Sequence, residues 1–202
     1  MNMEERKLSE QESLEIIQQM IDTAKQEQKD NGAGWIWWGW LLFVASTLSY
    51  VNIHTGWFHQ YFFWNVFGFL TLAALVFTLV RSLFIKKVTK VKTYTSDLFQ
   101  KLNIGFFIFL MLIIVAINVG VGPLKGFALL GGLYGFWILI YGTIFDFRPS
   151  IVGAFVTWAC AFAGLFVNEF QYTMLLQGAG VLAGYIIPGH MAMNEFNKIR
   201  RK

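Results

Sequence analysis

The chain has a single cysteine and three prolines in 202 residues, and charged side chains make up only 14% of it. With Cys160 alone, neither an intramolecular disulfide nor a cysteine-built metal cluster can form. Soluble domains carry about 25% charged residues, so most of this chain is not built to face water. Charge is also missing where certain chemistries need it. No Asp, Glu, Lys or Arg falls in the middle of any long apolar run. That removes support from proton-driven pumps and voltage sensors, which work through buried ionisable groups. Gly-x-Ser-x-Gly, His-Glu-x-x-His and a phosphate loop ending in Gly-Lys-Ser/Thr are absent, as is a facing pair of intramembrane aspartates. An intramembrane enzyme is therefore the third and least favoured reading, and no bound cofactor is expected.

What fills the chain instead is apolar: 56% hydrophobic residues, 18% of the total aromatic. A spanning helix needs roughly 20 apolar residues to cross about 30 Å of hydrocarbon. Six runs meet that length, over residues 35–53, 61–80, 104–121, 127–145, 151–168 and 172–188. None alternates apolar and polar residues as a lipid-facing strand must. The expected fold is an all-α integral membrane protein of six transmembrane helices arranged as three hairpins, preceded by an amphipathic cytoplasmic helix. Residues 1–34 are the cytoplasmic helix and a glycine hinge, 35–190 the bundle with a basic loop at 81–103, and 191–202 a basic tail. Pro188 and Gly189 are expected to break the sixth helix as it leaves the bilayer.

Orientation follows from the connections, because cations near span ends stay on the cytoplasmic side. Arg6, Lys7, Lys25 and Lys29 precede the first span. Arg81, Lys86, Lys87, Lys90, Lys92 and Lys101 lie between the second and third. Arg148 follows the fourth, and Lys198, Arg200, Arg201 and Lys202 follow the sixth. Lys125 alone falls outside, leaving fifteen of the sixteen cations on one side. Both termini are therefore expected on the cytoplasmic side, with the chain multi-pass in its membrane. The first thirty residues lack the short cationic start and apolar core of a secretory signal, so the first span is expected to act as its own insertion signal.

Ser9-Glu10-Gln11-Glu12 has the form of a capping box and predicts a helix over about residues 10–28. Leu14, Ile17, Met20, Ile21 and Ala24 make one apolar stripe on that helix, a candidate face for a partner helix. Three surfaces can receive it: the bilayer surface, the cytoplasmic face of this chain or a second copy of it, or another protein. Residues 10–22 carry four acidic groups and no cation, which disfavours an anionic lipid surface. Arg81, Lys86, Lys87, Lys90 and Lys92 are candidate contacts for anionic lipid headgroups, or simply fix topology. A net charge of +4 without a recognition fold gives no reason to expect nucleic acid.

Trp35, Trp37, Trp38 and Trp40 at one end of the first span, and Trp57, Phe58, Tyr61 and Trp64 after the other, read as interfacial anchors, with an aromatic ligand box as the alternative. Asn52, Asn65, Asn118, Asn168, Glu169 and Gln177 gather near the outer span ends and are a candidate polar cluster. His54 and His59 share an outer turn, and His190 is on the other side; no metal site is assigned to them. The spacing from Gly39 to Asn52 equals that from Gly105 to Asn118, a hint of repeated hairpins. Rows of small residues, Gly131 with Gly135, Gly180 with Gly184, and Gly153, Thr157 and Ala161, suit close helix packing inside the chain, with oligomer contact as the alternative.

The leader from Leu8-Ser9-Glu10-Gln11-Glu12-Ser13-Leu14 through Lys25, Gly39 in a Trp-rich first span, and the closing Ile187-Pro188-Gly189 together resemble a known pattern. It is that of a family of small polytopic inner-membrane proteins of Bacteroidota-type bacteria, in which a cytoplasmic leader precedes several spans. The resemblance implies a bacterial inner membrane and carries over no activity or functional residue. The expected role is non-enzymatic assembly, scaffolding or regulation through the leader helix and the cytoplasmic face. The alternative is a channel or uncoupled transporter for a neutral or lipid-like solute. Partners are then the lipid bilayer and either a second copy or another protein. An impermeant thiol reagent applied to intact cells should modify a cysteine placed at position 56 and spare one at position 90; the reverse pattern inverts the topology.

Overall fold

The computed structural model describes residues 11–16, 18, 32–84 and 94–200. Met1–Asp30 and Asn31–Lys202 form two separate compact units. In the first, residues 11–16 and 18 are helical, and Leu14 and Ile16 are exposed. Of the stripe, Ile17, Met20, Ile21 and Ala24 lie outside the described residues, as do Lys86, Lys87, Lys90 and Lys92.

The second unit is helical, with no strand among the described residues. Its elements are α1 (Ala33–Thr55), α2 (Phe62–Phe84), α3 (Tyr94–Ala116), α4 (Gly122–Ile144), α5 (Arg148–Phe166), α6 (Phe170–Val181) and α7 (Ile187–Arg200). Three helical runs are long and apolar enough to cross a membrane: Ala33–Thr55, Lys101–Ile144 and Arg148–Phe166. The middle one has 44 residues, and it is not a single rod. Gly120 leaves helical geometry and Gly122 has a φ of 75°, so the chain breaks between α3 and α4.

The α4 and α5 helices pass each other in opposite directions, and their small residues set the approach. A Cβ on Gly142 would lie 2.9 Å from the Ile151 side chain, and one on Gly131 3.1 Å from Ala161; one on Gly135 would overlap the Trp158 ring. That indole uses the space: its Nε1–H donates to the Gly132 carbonyl at 2.9 Å. On its other side α5 meets α6. A Cβ on Gly153 would run into the Ala183 carbonyl, and one on Gly184 would sit 2.6 Å from both Thr157 Oγ1 and Ile138 Cδ1. The sequence rows of small residues are thus engaged within the chain, where they let the helix backbones approach closely.

The α1 helix closes on the end of the chain, where Gly39 faces Tyr185 and Ile186, and Gly189 faces Trp35 and Ile36. Its buried face is Gly39, Leu42, Ala45, Ser46, Ser49 and Asn52, whereas Trp37, Trp40, Leu41, Val44, Leu48 and Val51 are exposed. Small and polar residues point in and large apolar ones point out, the reverse of a helix folded in water. Leu42, Tyr134, Ile138, Ala154, Val181, Tyr185 and Ile186 form the central core. Phe127, Phe170 and Met174 cluster at one end, and Tyr141, Phe145 and Phe147 at the other.

The expected break at Pro188 and Gly189 is not found, because helix continues through them to Arg200. Proline has no amide hydrogen and its ring crowds the preceding turn. A π-turn over Leu182–Ile186, where the Ile187 amide bonds back to the Leu182 carbonyl, widens the helix just ahead of the ring. Pro188 itself is among the most deeply buried residues.

Glycine identity should therefore matter only where backbones touch. Gly153→Ala should lower stability by about 1–3 kcal/mol through overpacking, whereas Gly132→Ala, with open space around its Cβ position, should leave it unchanged or slightly raised. Thermal unfolding of the two purified variants in the same detergent checks the contrast.

Candidate functional site

Where α4, α5 and α6 diverge from their tightest approach, they leave a partly open cavity of about 20 Å³. Gly131, Gly164 and Gly180 leave the space, and Tyr134, Tyr185, Thr157, Thr173, Gln177 and Cys160 supply its polar atoms. Thr157 is the best anchored of these: its hydroxyl lies 2.8 Å from the Gly153 carbonyl of its own helix and 3.0 Å from the Gly180 carbonyl of α6. Thr173 reaches back to the Glu169 carbonyl at 3.4 Å. No charged side chain lines the cavity, so what it offers is neutral hydrogen bonding.

The six residues of the sequence-derived polar cluster occupy different settings. Asn52 is 2% exposed and ties down the turn that follows α1. Its Nδ2 donates to the carbonyls of Phe58 (3.0 Å) and His59 (3.2 Å), while Oδ1 accepts from the Phe58 amide at 2.8 Å. Asn118 is exposed and donates to the Ile114 carbonyl at 2.7 Å. Asn65 and Asn168 are exposed, and Glu169 accepts from the nearby Gln171 amide. Gln177 is half-buried and alone among the six lines the cavity. The equal spacings from glycine to asparagine do not produce equal roles: Gly39 is pressed against Tyr185 and Ile186, whereas a Cβ on Gly105 would meet nothing within 4 Å.

The aromatic residues divide as well. Trp37 and Trp57 are more than 70% exposed. Trp35 packs on Tyr141 and Tyr185 at 4.4 and 5.0 Å between ring centres, and Trp64 packs on Phe127 at 4.5 Å while donating to Met174 Sδ at 2.9 Å. His54 lies against Tyr50, His59 against Tyr61, and His190 Nδ1 is 2.8 Å from the Ile186 carbonyl. No three His, Cys, Asp or Glu side chains come together as a metal site among the described residues.

Two features escaped the sequence reading. Lys125, the outlier of the charge pattern, donates through Nζ to the carbonyls of Leu165 and Val167, the latter at 3.1 Å. It thereby caps the end of α5, where unpaired carbonyls and the helix dipole favour a cation. Its isolation in the charge pattern was the available signal. The tyrosines of the cavity gave none, because an aromatic residue within an apolar run looks like ordinary packing.

Comparison with known protein families, curated proteins and solved structures finds no match to this chain. Asn52→Ala should cost about 2–3 kcal/mol, since three hydrogen bonds at about 1 kcal/mol each are lost or left unpaired. Asn65→Leu should leave the melting temperature where it was; equal losses in a thermal melt of both would show that the Asn52 bonds do not hold the turn.

Proposed function

We propose that the chain is a six-span helical protein of a bacterial inner membrane, with both ends in the cytoplasm. In this reading it serves a non-enzymatic assembly, scaffold or regulatory role through its leader helix and cytoplasmic face. The reversed polarity of α1, with Ser46, Ser49 and Asn52 inside and Trp37, Trp40 and Val44 outside, supports the bilayer as solvent. The break at Gly120 and Gly122 supports dividing the 44-residue run into two crossings, because at about 1.5 Å per residue it is twice the length that one needs. The helices Phe62–Phe84 and Phe170–Val181, the latter extended by the π-turn, supply the remaining two. Sidedness rests on the fifteen cations that would otherwise be exported.

The single observation that carries the scaffold reading is the exposure of Leu14 on the acidic leader. Leu14 is 66% exposed, and the sequence continues its stripe through Ile17, Met20, Ile21 and Ala24. An acidic helix of that kind fits a basic protein surface, either on the 81–103 connection of this chain or a second copy, or on a separate partner. Arg81, Lys86, Lys87, Lys90 and Lys92 then serve the same face, in contact with the helix or with anionic headgroups.

A conduit for a neutral or lipid-like solute is the second reading, favoured by the uncharged polar lining between α4, α5 and α6. Flux through purified protein in liposomes separates the two, with Gln177→Leu as the sensitive variant if the cavity conducts. Removing residues 1–30 should abolish association in a mild-detergent pull-down while membrane insertion persists. Recovery of the same companions without the leader would refute the scaffold role.

A further inference from the structure

Most polar groups inside the bundle find a protein partner: Ser46 on Leu42, Asn52 on its turn, Thr157 on Gly153 and Gly180, and Trp158 on Gly132. Tyr134 and Tyr185 do not. They are 7% and 5% exposed, their rings meet edge to face 6.0 Å apart, and both line the cavity between α4, α5 and α6. Neither hydroxyl bonds to another described residue. Among the described residues, Ser49 Oγ is the side-chain oxygen that is both sealed in and unpartnered, so the tyrosine oxygens open onto free space. Gln177 joins them from α6, its Oε1 only 3.8 Å from where a Cβ on Gly131 would sit.

We infer that this cavity is a water site inside the apolar bundle, holding one or two molecules that complete the hydrogen bonds of Tyr134, Tyr185 and Gln177. Size and chemistry agree. A void of roughly 10–15 Å³ takes one water, provided two to four polar groups receive it, and this one measures about 20 Å³. The two hydroxyls and the amide supply donors and acceptors without charge, which suits water and gives an ion no counter-charge. A lipid methyl in the same place would leave all three unsatisfied in a medium that penalises this heavily. The inference does not depend on the scaffold reading.

Radiolytic hydroxyl-radical labelling of the full chain in lipid nanodiscs, in water enriched in oxygen-18, tests it, because bound water converts to radical in place and marks the adjacent ring. Tyr134 and Tyr185 should take up the heavy oxygen on the same timescale as Tyr172, which is half exposed. A methyl introduced by Gly180→Ala meets Thr157 and Cys160 at ordinary distances of 3.6–3.7 Å, and one from Gly164→Ala meets Ala128 at 3.5 Å. Either therefore fills the space without a backbone clash, and the second stands in should the first not fold. Loss of label at Tyr134 and Tyr185 in the filled variant, with Tyr172 unchanged, is the expected result. A dry cavity would appear as no label on the two tyrosines in the native chain. Label undiminished by filling would place the water elsewhere. Either of these overturns the proposal.

Discussion

Backbone approach between α5 and its two neighbours is the constraint on which the rest of the structure depends. In water, a helix bundle closes because large apolar side chains leave the solvent; in hydrocarbon that gain vanishes, and helices adhere through close van der Waals contact and interhelical hydrogen bonds. Gly153 lets α5 reach the Ala183 carbonyl, Gly135 admits the Trp158 indole, and Thr157 spans to Gly180. The first two contacts need the absence of a side chain on one partner. Large residues such as Phe155, Phe162 and Phe166 are accordingly left outside.

That division explains how much of the fold was legible in the sequence. Helical runs could be read because length and apolarity decide them, and the rows of glycine could be read because their spacing of four is the pitch of a contact face. The α4 row at Gly131 and Gly135 and the α5 row at Gly153, Thr157 and Ala161 do meet neighbouring helices. What could not be read was anything set by the partner rather than by the residue's own helix. Gly39 and Gly105 look alike in one dimension, yet only one has a helix against it. Pro188 looked like a terminator because the widened turn ahead of it leaves no mark in composition.

The candidate site shows the same asymmetry between residue and context. Asparagines near span ends suggested a shared vestibule, but Asn52 spends its amide on the Phe58 and His59 backbone, and Gln177 turns to an interior space. Ser46, Thr157 and Trp158 inside the bundle are each given a specific backbone acceptor, as a low-dielectric surrounding demands, and Ser49 Oγ is the exception. In the first unit Leu14 is exposed, and the contacts that close the bundle do not account for it.

The widened turn at Leu182–Ile186 has an effect on phase as well as on fit. One residue beyond the regular ladder turns everything downstream by about 100° around the axis. The last helix therefore presents a different side from the one that simple periodicity through α6 assigns. Met191, Glu195 and Lys198 owe their compass bearing to that single surplus residue. A one-residue deletion there would swing the end of the protein to a new heading while its sequence stayed intact.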